Sequence, residues 1–407
     1  MSTLVRRLVI SGSALLVLAV GVGSAVQLER PLPALTFQAD LARTAPVPGR
    51  AAQLPWPTEG QAAIYLSGFG WLGSTGGEIA VPIASVTKIM TALVILRADP
   101  LKVGMVGPEV TVSAADFALY QTELAQGDSV VRVEPGETLS ELQLLEGLLL
   151  PSGDNLAVLL ADWAAGSEPA FVQRMNQLAS SLHLSHTHFT DSSGLAPGSV
   201  SCARDLVALA NVAMRIQVFA SIVAMPTVTL PTAGPVHNYN PLLGQDGVIG
   251  IKTGWTEEAM GCLVFAARDS VDGRAVQLIG AVLGQPGGPA AGLLAAAGEA
   301  KALLVAGEAA LDEVHLPPAG PQVGRVTSAW GSEISVDVTR GIGLVGVGGS
   351  QMRLRLQLRQ LRAPLRRGAV AGDLTATTPG GFSLHLLIEA NGKLAAPSWW
   401  WRLTRSF

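Results

Sequence analysis

The stretch that most constrains the fold is Ile83-Ala84-Ser85-Val86-Thr87-Lys88-Ile89-Met90-Thr91-Ala92-Leu93. Its apolar residues recur at helical spacing, which predicts an amphipathic helix over residues 85–96. Ser85 and Lys88 are three positions apart, so on a helix their Cβ atoms lie on one face, about 5–6 Å apart. A lysine in that position can take the serine's proton if its surroundings favour the neutral amine. Taken alone, the pair also fits a helix-capping serine beside a solvated lysine.

A second polar motif, Lys252-Thr253-Gly254, ends a strand predicted over residues 247–253. A cation and a hydroxyl at a strand end can bind a carboxylate, and Gly254 lets another backbone approach closely. A polar turn without function is the alternative interpretation.

A third motif, Ser152-Gly153-Asp154-Asn155, lies in a loop between helices predicted over 139–150 and 154–164. Serine and aspartate are favoured helix caps, which offers a structural interpretation. In the functional interpretation the Ser152 hydroxyl relays a proton between Lys88 and a leaving amine. The three motifs in this order, each on a suitable element, favour the functional interpretation.

The remaining pattern predicts an α+β fold, in which strands at both ends of a helical middle form one sheet with helices packed on it. Asp272-Gly273 is a good hairpin turn. The other predicted strands cover residues 62–66, 78–81, 261–268 and 275–283, with a glycine-rich connection around 73–77, and the other predicted helices cover 171–182, 203–216 and 290–311.

The N-terminal segment indicates export or membrane attachment. Arg6 and Arg7 precede residues 8–26, which contain no charge and suit either a signal peptide cleaved after Ala25 or a membrane anchor. In either interpretation residues 1–26 are the signal or anchor segment, and the rest of the chain lies outside the cytoplasm, either secreted or anchored to the membrane.

Domain organisation follows from composition. The proline-rich residues 27–58 are predicted to be a linker and residues 317–390 a separate small β domain of short alternating runs. The tail, residues 391–407, has three adjacent tryptophans beside arginines, which suits a membrane interface or packing on the β domain.

Composition excludes several classes. The 407 residues carry a net charge of -4 with 14% charged and 49% hydrophobic residues, and this lack of basic surplus argues against nucleic acid as a partner. Cys202 and Cys262 lack metal-ligand spacing and are interpreted as small buried residues, with a disulfide as the alternative. His183, His186 and His188 fit no zinc motif. We therefore expect no metal and no cofactor.

Over residues 60–311 the chain resembles the D-alanyl-D-alanine carboxypeptidase group of low-molecular-weight penicillin-binding proteins, which share their fold with serine β-lactamases. The resemblance implies a β-lactamase/transpeptidase-like catalytic domain over residues 59–314, with an antiparallel sheet and helices, followed by a small all-β domain. Besides the opening stretch it is carried by residues 148–153, Phe171-Val172-Gln173-Arg174-Met175-Asn176, Ser193-Gly194-Leu195, Ala203-Arg204-Asp205-Leu206 and Gly247-Val248-Ile249-Gly250-Ile251-Lys252-Thr253-Gly254-Trp255.

The resemblance also implies an activity: release of the terminal D-alanine from a peptidoglycan pentapeptide through an acyl-enzyme, with β-lactam antibiotics as inhibitors, at the outer face of the bacterial cytoplasmic membrane. The implied roles are Ser85 as nucleophile, Lys88 as its base, Ser152 as proton shuttle, Lys252 and Thr253 as carboxylate ligands, and the N–H groups of Ser85 and Trp255 as an oxyanion hole beside Gly254.

Two departures from the family pattern matter. The family's second motif reads Ser-x-Asn, whereas Asp154 stands at the third position here and Asn155 follows. Either Asn155 binds the substrate after a local shift, which we favour, or Asp154 pairs with Lys88 and changes its basicity. Secondly, no arginine occurs between residues 215 and 268, so recognition of the carboxylate rests on Lys252 and Thr253.

Two competing functions follow. A β-lactamase of the related class needs a Glu-x-x-Leu-Asn segment, and none lies between Ser152 and Lys252. A non-catalytic protein that only binds peptidoglycan is the other alternative, and Asp154 is its main support.

Overall fold

A computed structural model describes residues 3–317 and 320–405. Three short stretches lie outside the described residues: 1–2 of the predicted signal or anchor segment, 318–319 of the predicted β domain and 406–407 of the tail. The helices are α1 Thr3–Glu29, α2 Lys88–Ala98, α3 Ala114–Gln126, α4 Glu141–Leu149, α5 Asp154–Ala165, α6 Glu168–Ser181, α7 Ala203–Ala213, α8 Gln217–Val223, α9 Pro289–Glu308 and α10 Trp399–Thr404, with a 3₁₀ turn over Ala84–Thr87.

Twenty strands are present in the described part of the chain. They are β1 Thr36–Ala39, β2 Thr44–Pro46, β3 Gln61–Leu66, β4 Gly70–Thr75, β5 Val81–Pro82, β6 Glu109–Thr111, β7 Thr138–Ser140, β8 Val200–Ser201, β9 Thr227–Leu230, β10 Gly234–His237, β11 Val248–Gly254, β12 Gly261–Val271, β13 Arg274–Gln285, β14 Leu311–Leu316, β15 Gln322–Thr327, β16 Glu333–Val338, β17 Ile342–Val347, β18 Gln351–Leu358, β19 Val370–Thr377 and β20 Ser383–Ala390.

The first domain is built on a five-stranded antiparallel sheet in the order β11-β12-β13-β3-β4. Successive side chains of β12 point to opposite faces. Val264 and Ala266 join the core around α2, whereas Leu263 and Phe265 join the core beneath α9. Strands from both ends of the domain thus enclose the helices between them, which confirms the predicted α+β class.

Helix α2 is the centre of the first core. All residues from Lys88 to Leu96 are buried, so the helix has no solvated face. A fully buried helix needs neighbours on all sides, and α4, α5, α6 and α7 supply them. The side chain of Lys88 therefore lies inside the domain.

The strand predicted over residues 78–81 lies elsewhere. The partner of β3 is β4, Gly70–Thr75, which overlaps the glycine-rich connection expected around residues 73–77. Glycine weakens a strand pattern because it has no side chain to pack. A Cβ at Gly73 would lie 2.7 Å from the ring of Trp56, so close packing requires the glycine.

The second domain consists mainly of a seven-stranded antiparallel sheet in the order β1-β15-β16-β20-β19-β18-β2. Its two edge strands come from residues 36–46, inside the segment predicted to be a linker. Strands of four and three residues are too short to show a period in the sequence. Strand β14 also pairs with β17 of this domain, so the domain includes residues before the predicted 317.

Two of the described helices, or three if the bent α7–α8 pair counts as one span, are long and apolar enough to cross a bilayer. One is the part of α1 from Ile10 to Glu29, whose residues are almost entirely exposed. The other is α9, which instead packs on β12 and β13 through Ala296, Ala300 and Leu303. Of these two helices, α1 is the one whose apolar surface is almost wholly without protein cover, since the window in α9 is 39% buried and that in α1 only 6%.

Glu141, the first residue of α4, is fully buried and neither carboxyl oxygen has a hydrogen-bond partner among the described residues. Burial, with the nearby charge of Asp99, raises the pKa of Glu141 from 4.5 to about 7. Since the folded state holds this proton more tightly than the unfolded chain, stability is lost as pH rises from 4.5 and levels off above 7.

We expect Glu141→Gln to reduce the loss of stability between pH 5 and pH 8 by up to roughly 3 kcal/mol, the free energy of a shift of this size. Urea unfolding of both proteins at the two pH values measures the difference. Glu109→Gln, at an exposed site on β6, is the control and should keep the original pH dependence. An unchanged pH dependence in Glu141→Gln would contradict the assignment.

Candidate active site

The three sequence motifs meet at one cleft of about 630 Å³. Ser85 lies in the 3₁₀ turn before α2, Ser152 in the loop between α4 and α5, and residues 253–255 at the end of β11. The fold therefore brings together side chains that are about 70 to 170 positions apart in the sequence.

Ser85 and Lys88 are in direct contact. Lys88 is fully buried and its Nζ atom lies 2.8 Å from the half-buried Ser85 Oγ. The same Nζ donates to the carbonyl of Ser193 at 2.9 Å and to Asp154 Oδ1. An ammonium has three donors, so these contacts occupy all of them.

Asp154 is the anionic partner of Lys88. It is almost completely buried, and its second oxygen accepts from the backbone N–H of Ser129 at 3.1 Å. Burial raises the pKa of Asp154, while the Lys88 charge opposes that shift. This carboxylate occupies the position where the family pattern has an amide.

Asn155 lies outside the cleft. Its side-chain oxygen accepts from the N–H of Val131 and its nitrogen donates to the carbonyl of Val131, both at 2.9 Å. Because α5 begins at Asp154, neighbouring side chains are rotated by about 100° around its axis. The structure thus favours the second alternative, in which Asp154 pairs with Lys88, over the expectation for Asn155.

Ser152 is held in an unusual conformation. Its φ of 67° is in the left-handed region, which costs a non-glycine residue about 1–2 kcal/mol. The side chain is buried at the cleft wall, and its hydroxyl has no hydrogen-bond partner among the described residues. A buried hydroxyl without a partner is available to a bound molecule.

Lys252 lies buried next to the cleft. Burial, and then the proximity of Lys88, lower the pKa of Lys252 well below its usual range. Its Nζ donates to the carbonyl of Thr253 at 3.0 Å. A Cβ at Gly254 would lie 2.9 Å from the backbone nitrogen of Ser85, so this glycine allows β11 to approach the serine.

The sequence did not indicate the loop around residues 192–194 as part of the site. The carbonyl of Ser192 accepts from Thr91 Oγ1 at 2.6 Å, next to the contact between Ser193 and Lys88. Gly194 has φ 88°, and a Cβ there would lie only 1.9 Å from the carbonyl oxygen of Ala84. Gly194 was the one residue of this loop that could have indicated such a close approach.

A second buried carboxyl lies close to the pair. Glu123 on α3 is 6% exposed, and burial, followed by the charge of Asp154, raises the pKa of Glu123 to about 7. Lys88 opposes this shift, so the three groups influence one another.

A sequence model of one family, described as D-alanyl-D-alanine carboxypeptidase, matches residues 72–287. A D-alanyl-D-alanine carboxypeptidase of Streptomyces strain K15 is 36% identical over 200 residues, which cover 45% of this chain and 67% of the relative. One from Mycobacterium tuberculosis is 38% identical over 197 residues, covering 47% of this chain and 63% of the relative. The match to a D-alanyl-D-alanine carboxypeptidase from Bacillus subtilis covers only 47% of that relative.

Solved structures show the same fold. Penicillin-binding protein 6B from Escherichia coli matches with a TM-score of 0.62 and 25% identity, over 84% of this chain and 98% of that chain. The Streptomyces K15 DD-transpeptidase matches with a TM-score of 0.54 and 29% identity, over 65% of this chain and all of its own. The first of these matches extends beyond the α+β domain into the β domain.

Proposed function

Because the chain belongs to the D-alanyl-D-alanine carboxypeptidase family, we propose that it removes the terminal D-alanine from peptidoglycan stem peptides through an acyl-enzyme on Ser85. The observation that carries this proposal is the 2.8 Å contact between Ser85 Oγ and the buried Lys88 Nζ at the cleft. A nucleophile within hydrogen-bond distance of its base is what covalent catalysis requires.

In the acylation step Ser85 Oγ attacks the carbonyl carbon of the penultimate D-alanine, and Lys88 takes the hydroxyl proton. Lys88 must be in its amine form to do so. The carboxylate of Asp154 favours the ammonium form. The contact with Asp154 therefore acts directly on the base of this step.

The terminal carboxylate of the substrate binds Lys252 and Thr253 at the end of β11. Thr253 lines the cleft, and Lys252 lies next to it in the strand. The N–H groups of Ser85 and Trp255 stabilise the oxyanion, and such donors contribute several kcal/mol each. The close approach at Gly254 supports this placement, because it brings the two backbone segments together.

Ser152 donates the proton that the leaving D-alanine amine requires. Its unpartnered hydroxyl lines the same cleft as Ser85. The proton passes from Lys88 to the amine through this hydroxyl. Water then hydrolyses the ester at Ser85 with Lys88 as base, which restores the free enzyme. A β-lactam acylates the same serine and gives a stable ester, which accounts for inhibition.

A protein that binds peptidoglycan without catalysis is the second candidate. The observation that favours it is the occupied state of Lys88, whose three donors all have acceptors. The two candidates differ in whether Ser85 reacts.

We expect benzylpenicillin to add its own mass to the purified protein at Ser85, and Ser85→Ala to remain unmodified. Intact-mass and peptide mass spectrometry measure the adduct. The wild-type protein should also release D-alanine from a pentapeptide, whereas Ser85→Ala should not. A folded wild-type protein that forms no adduct and releases no D-alanine would favour the binding-only function.

We expect Asp154→Asn to be acylated about tenfold faster than the wild-type protein at the same pH. The reason is that asparagine removes the negative charge that holds Lys88 as ammonium. Stopped-flow acylation by a chromogenic β-lactam between pH 5 and 9 measures the rates.

Asp128→Asn is the matched control, because Asp128 lines the same cleft but is only partly buried and is not among the hydrogen-bond partners of Lys88. Its acylation rate should change much less. Loss of acylation at every pH in Asp154→Asn would mean that Asp154 accepts the proton from Lys88 and is itself required.

We also propose that α1 is a membrane anchor that holds both domains at the outer face of the membrane. Helix α1 continues without a break through the bond after Ala25 as far as Glu29. The Arg405 guanidinium donates to the carbonyls of Gln27, Arg30 and Pro31. These contacts support an intact helix end, which is a poor protease substrate.

The tail lies next to the end of this anchor. Trp401 packs against Trp330 of the β domain with ring centroids 5.5 Å apart. Trp399 and Trp400 are 65% and 62% exposed. Exposed tryptophans near the end of an apolar helix suit the membrane interface.

We expect the protein isolated from cells to retain residues 1–25 and to stay in the membrane fraction after carbonate extraction. Intact-mass measurement of that fraction checks both points. An intact mass equal to that of a chain beginning at Val26, found in the soluble fraction, would show that the segment is a cleaved signal peptide.

A further inference from the structure

A group of potential metal ligands lies outside the cleft. His186, Cys202 and Asp205 each place one ligand atom within 4.8 Å of those of the other two. From this arrangement we infer that these three residues form a binding site for a transition metal ion of the Zn²⁺ type. The inference rests on the geometry of the ligands and is independent of the proposed peptidase activity.

The site is assembled by the fold. His186 lies in the connection between α6 and α7, Cys202 is the N-cap of α7, and Asp205 is in its first turn. Asp205 Oδ2 accepts from the backbone N–H of His186 at 2.8 Å and from Thr187 Oγ1 at 2.9 Å. The loop is therefore held on the helix before any ion binds.

The ligand types suit a borderline-soft cation. Zn²⁺ binds thiolate sulfur at about 2.3 Å and imidazole nitrogen or carboxylate oxygen at about 2.0–2.2 Å, in a tetrahedron. Ligands at such distances lie about 3.5 Å from one another. Closing the present separations to that value requires only a small movement, which the partly exposed imidazole of His186 can make.

A fourth ligand is available. Glu78 Oε2 lies 3.9 Å from His186 Nδ1, and Glu78 also pairs with Arg204 at 3.1 Å. The fourth position belongs to Glu78 or to water. One sulfur, one nitrogen and carboxylate oxygen select Zn²⁺, Co²⁺ and similar ions over Mg²⁺ or Ca²⁺, which prefer oxygen alone.

Ion binding is coupled to a proton. A free cysteine is a thiol at neutral pH. A metal binds the thiolate. Each ion that binds therefore releases one proton to solvent, and affinity increases as pH rises.

The ion would connect two segments that lead to the cleft. The loop with His186 continues to Ser192 and Ser193, whose carbonyls accept from Thr91 and Lys88. Holding this loop on α7 stabilises the acceptors of the buried ammonium. The site is thus a structural one, and its expected effect is on stability.

The test is Co²⁺ titration into the metal-free, reduced, full-length protein in detergent. Thiolate ligation gives an intense near-ultraviolet charge-transfer absorption, and we expect it to saturate at one equivalent of Co²⁺. Zn²⁺ should displace the Co²⁺, abolish the absorption and raise the melting temperature.

Cys202→Ser is the decisive variant, because serine keeps the N-cap of α7 and loses the sulfur. It should lose the charge-transfer absorption completely, and Cys262→Ala, at the other buried cysteine, should retain it. His186→Ala, in a partly exposed loop, should weaken Co²⁺ binding at least tenfold.

Absence of the absorption in the wild-type protein, or its persistence in Cys202→Ser, would overturn the proposal. Near-ultraviolet circular dichroism of each variant shows that it is folded. If Cys202→Ser fails to fold, the His186→Ala titration decides: unchanged Co²⁺ affinity there would also overturn the proposal.

Discussion

Lys88 brings a positive charge into a helix from which water is excluded, and a buried ammonium needs acceptors for each of its protons. Three separate segments supply them: the turn with Ser85, the start of α5 with Asp154, and the loop with Ser193. Each segment must reach the same point inside the first domain. The positive φ of Ala84 and Ser152, on two of the adjoining segments, is backbone strain that such convergence requires and that the surrounding core compensates. The nucleophile and its neighbours are thus positioned by the solvation of one charge.

Features that depend on local sequence could be predicted. The hairpin at Asp272-Gly273 forms because both residues adopt positive φ, as a two-residue turn demands. The long strands β12 and β13 and helix α9 were found because their periods extend over many residues. The serine and lysine of the first motif were found for a similar reason, since their contact spans one helical turn. The α+β class followed from these elements together, and the family from the resemblance of the motifs.

Features that depend on contacts between distant parts of the chain could not be predicted from the sequence. Whether Asp154 or Asn155 faces Lys88 is decided by where α5 begins, because a shift of one residue turns a side chain by about 100°. The strand β4 was missed because its glycines give no hydrophobic pattern: Gly73 packs against Trp56 and Gly70 against the backbone of Gly380. Cys202 and His186 are 16 positions apart, a spacing typical of no metal motif, and only the docking of the loop on α7 brings them together.

The two strands at the edges of the seven-stranded sheet have a consequence for the order of folding. The hydrogen bond from Thr327 to Thr36 joins residues 291 positions apart. During synthesis residues 36–46 leave the ribosome long before any of their partner strands exist, so they wait while the whole first domain is made. Contacts of such separation form slowly. Until β15 and β18 are made, β1 and β2 have no partner strand and are open to pairing with other chains, so this interval of synthesis exposes them to aggregation.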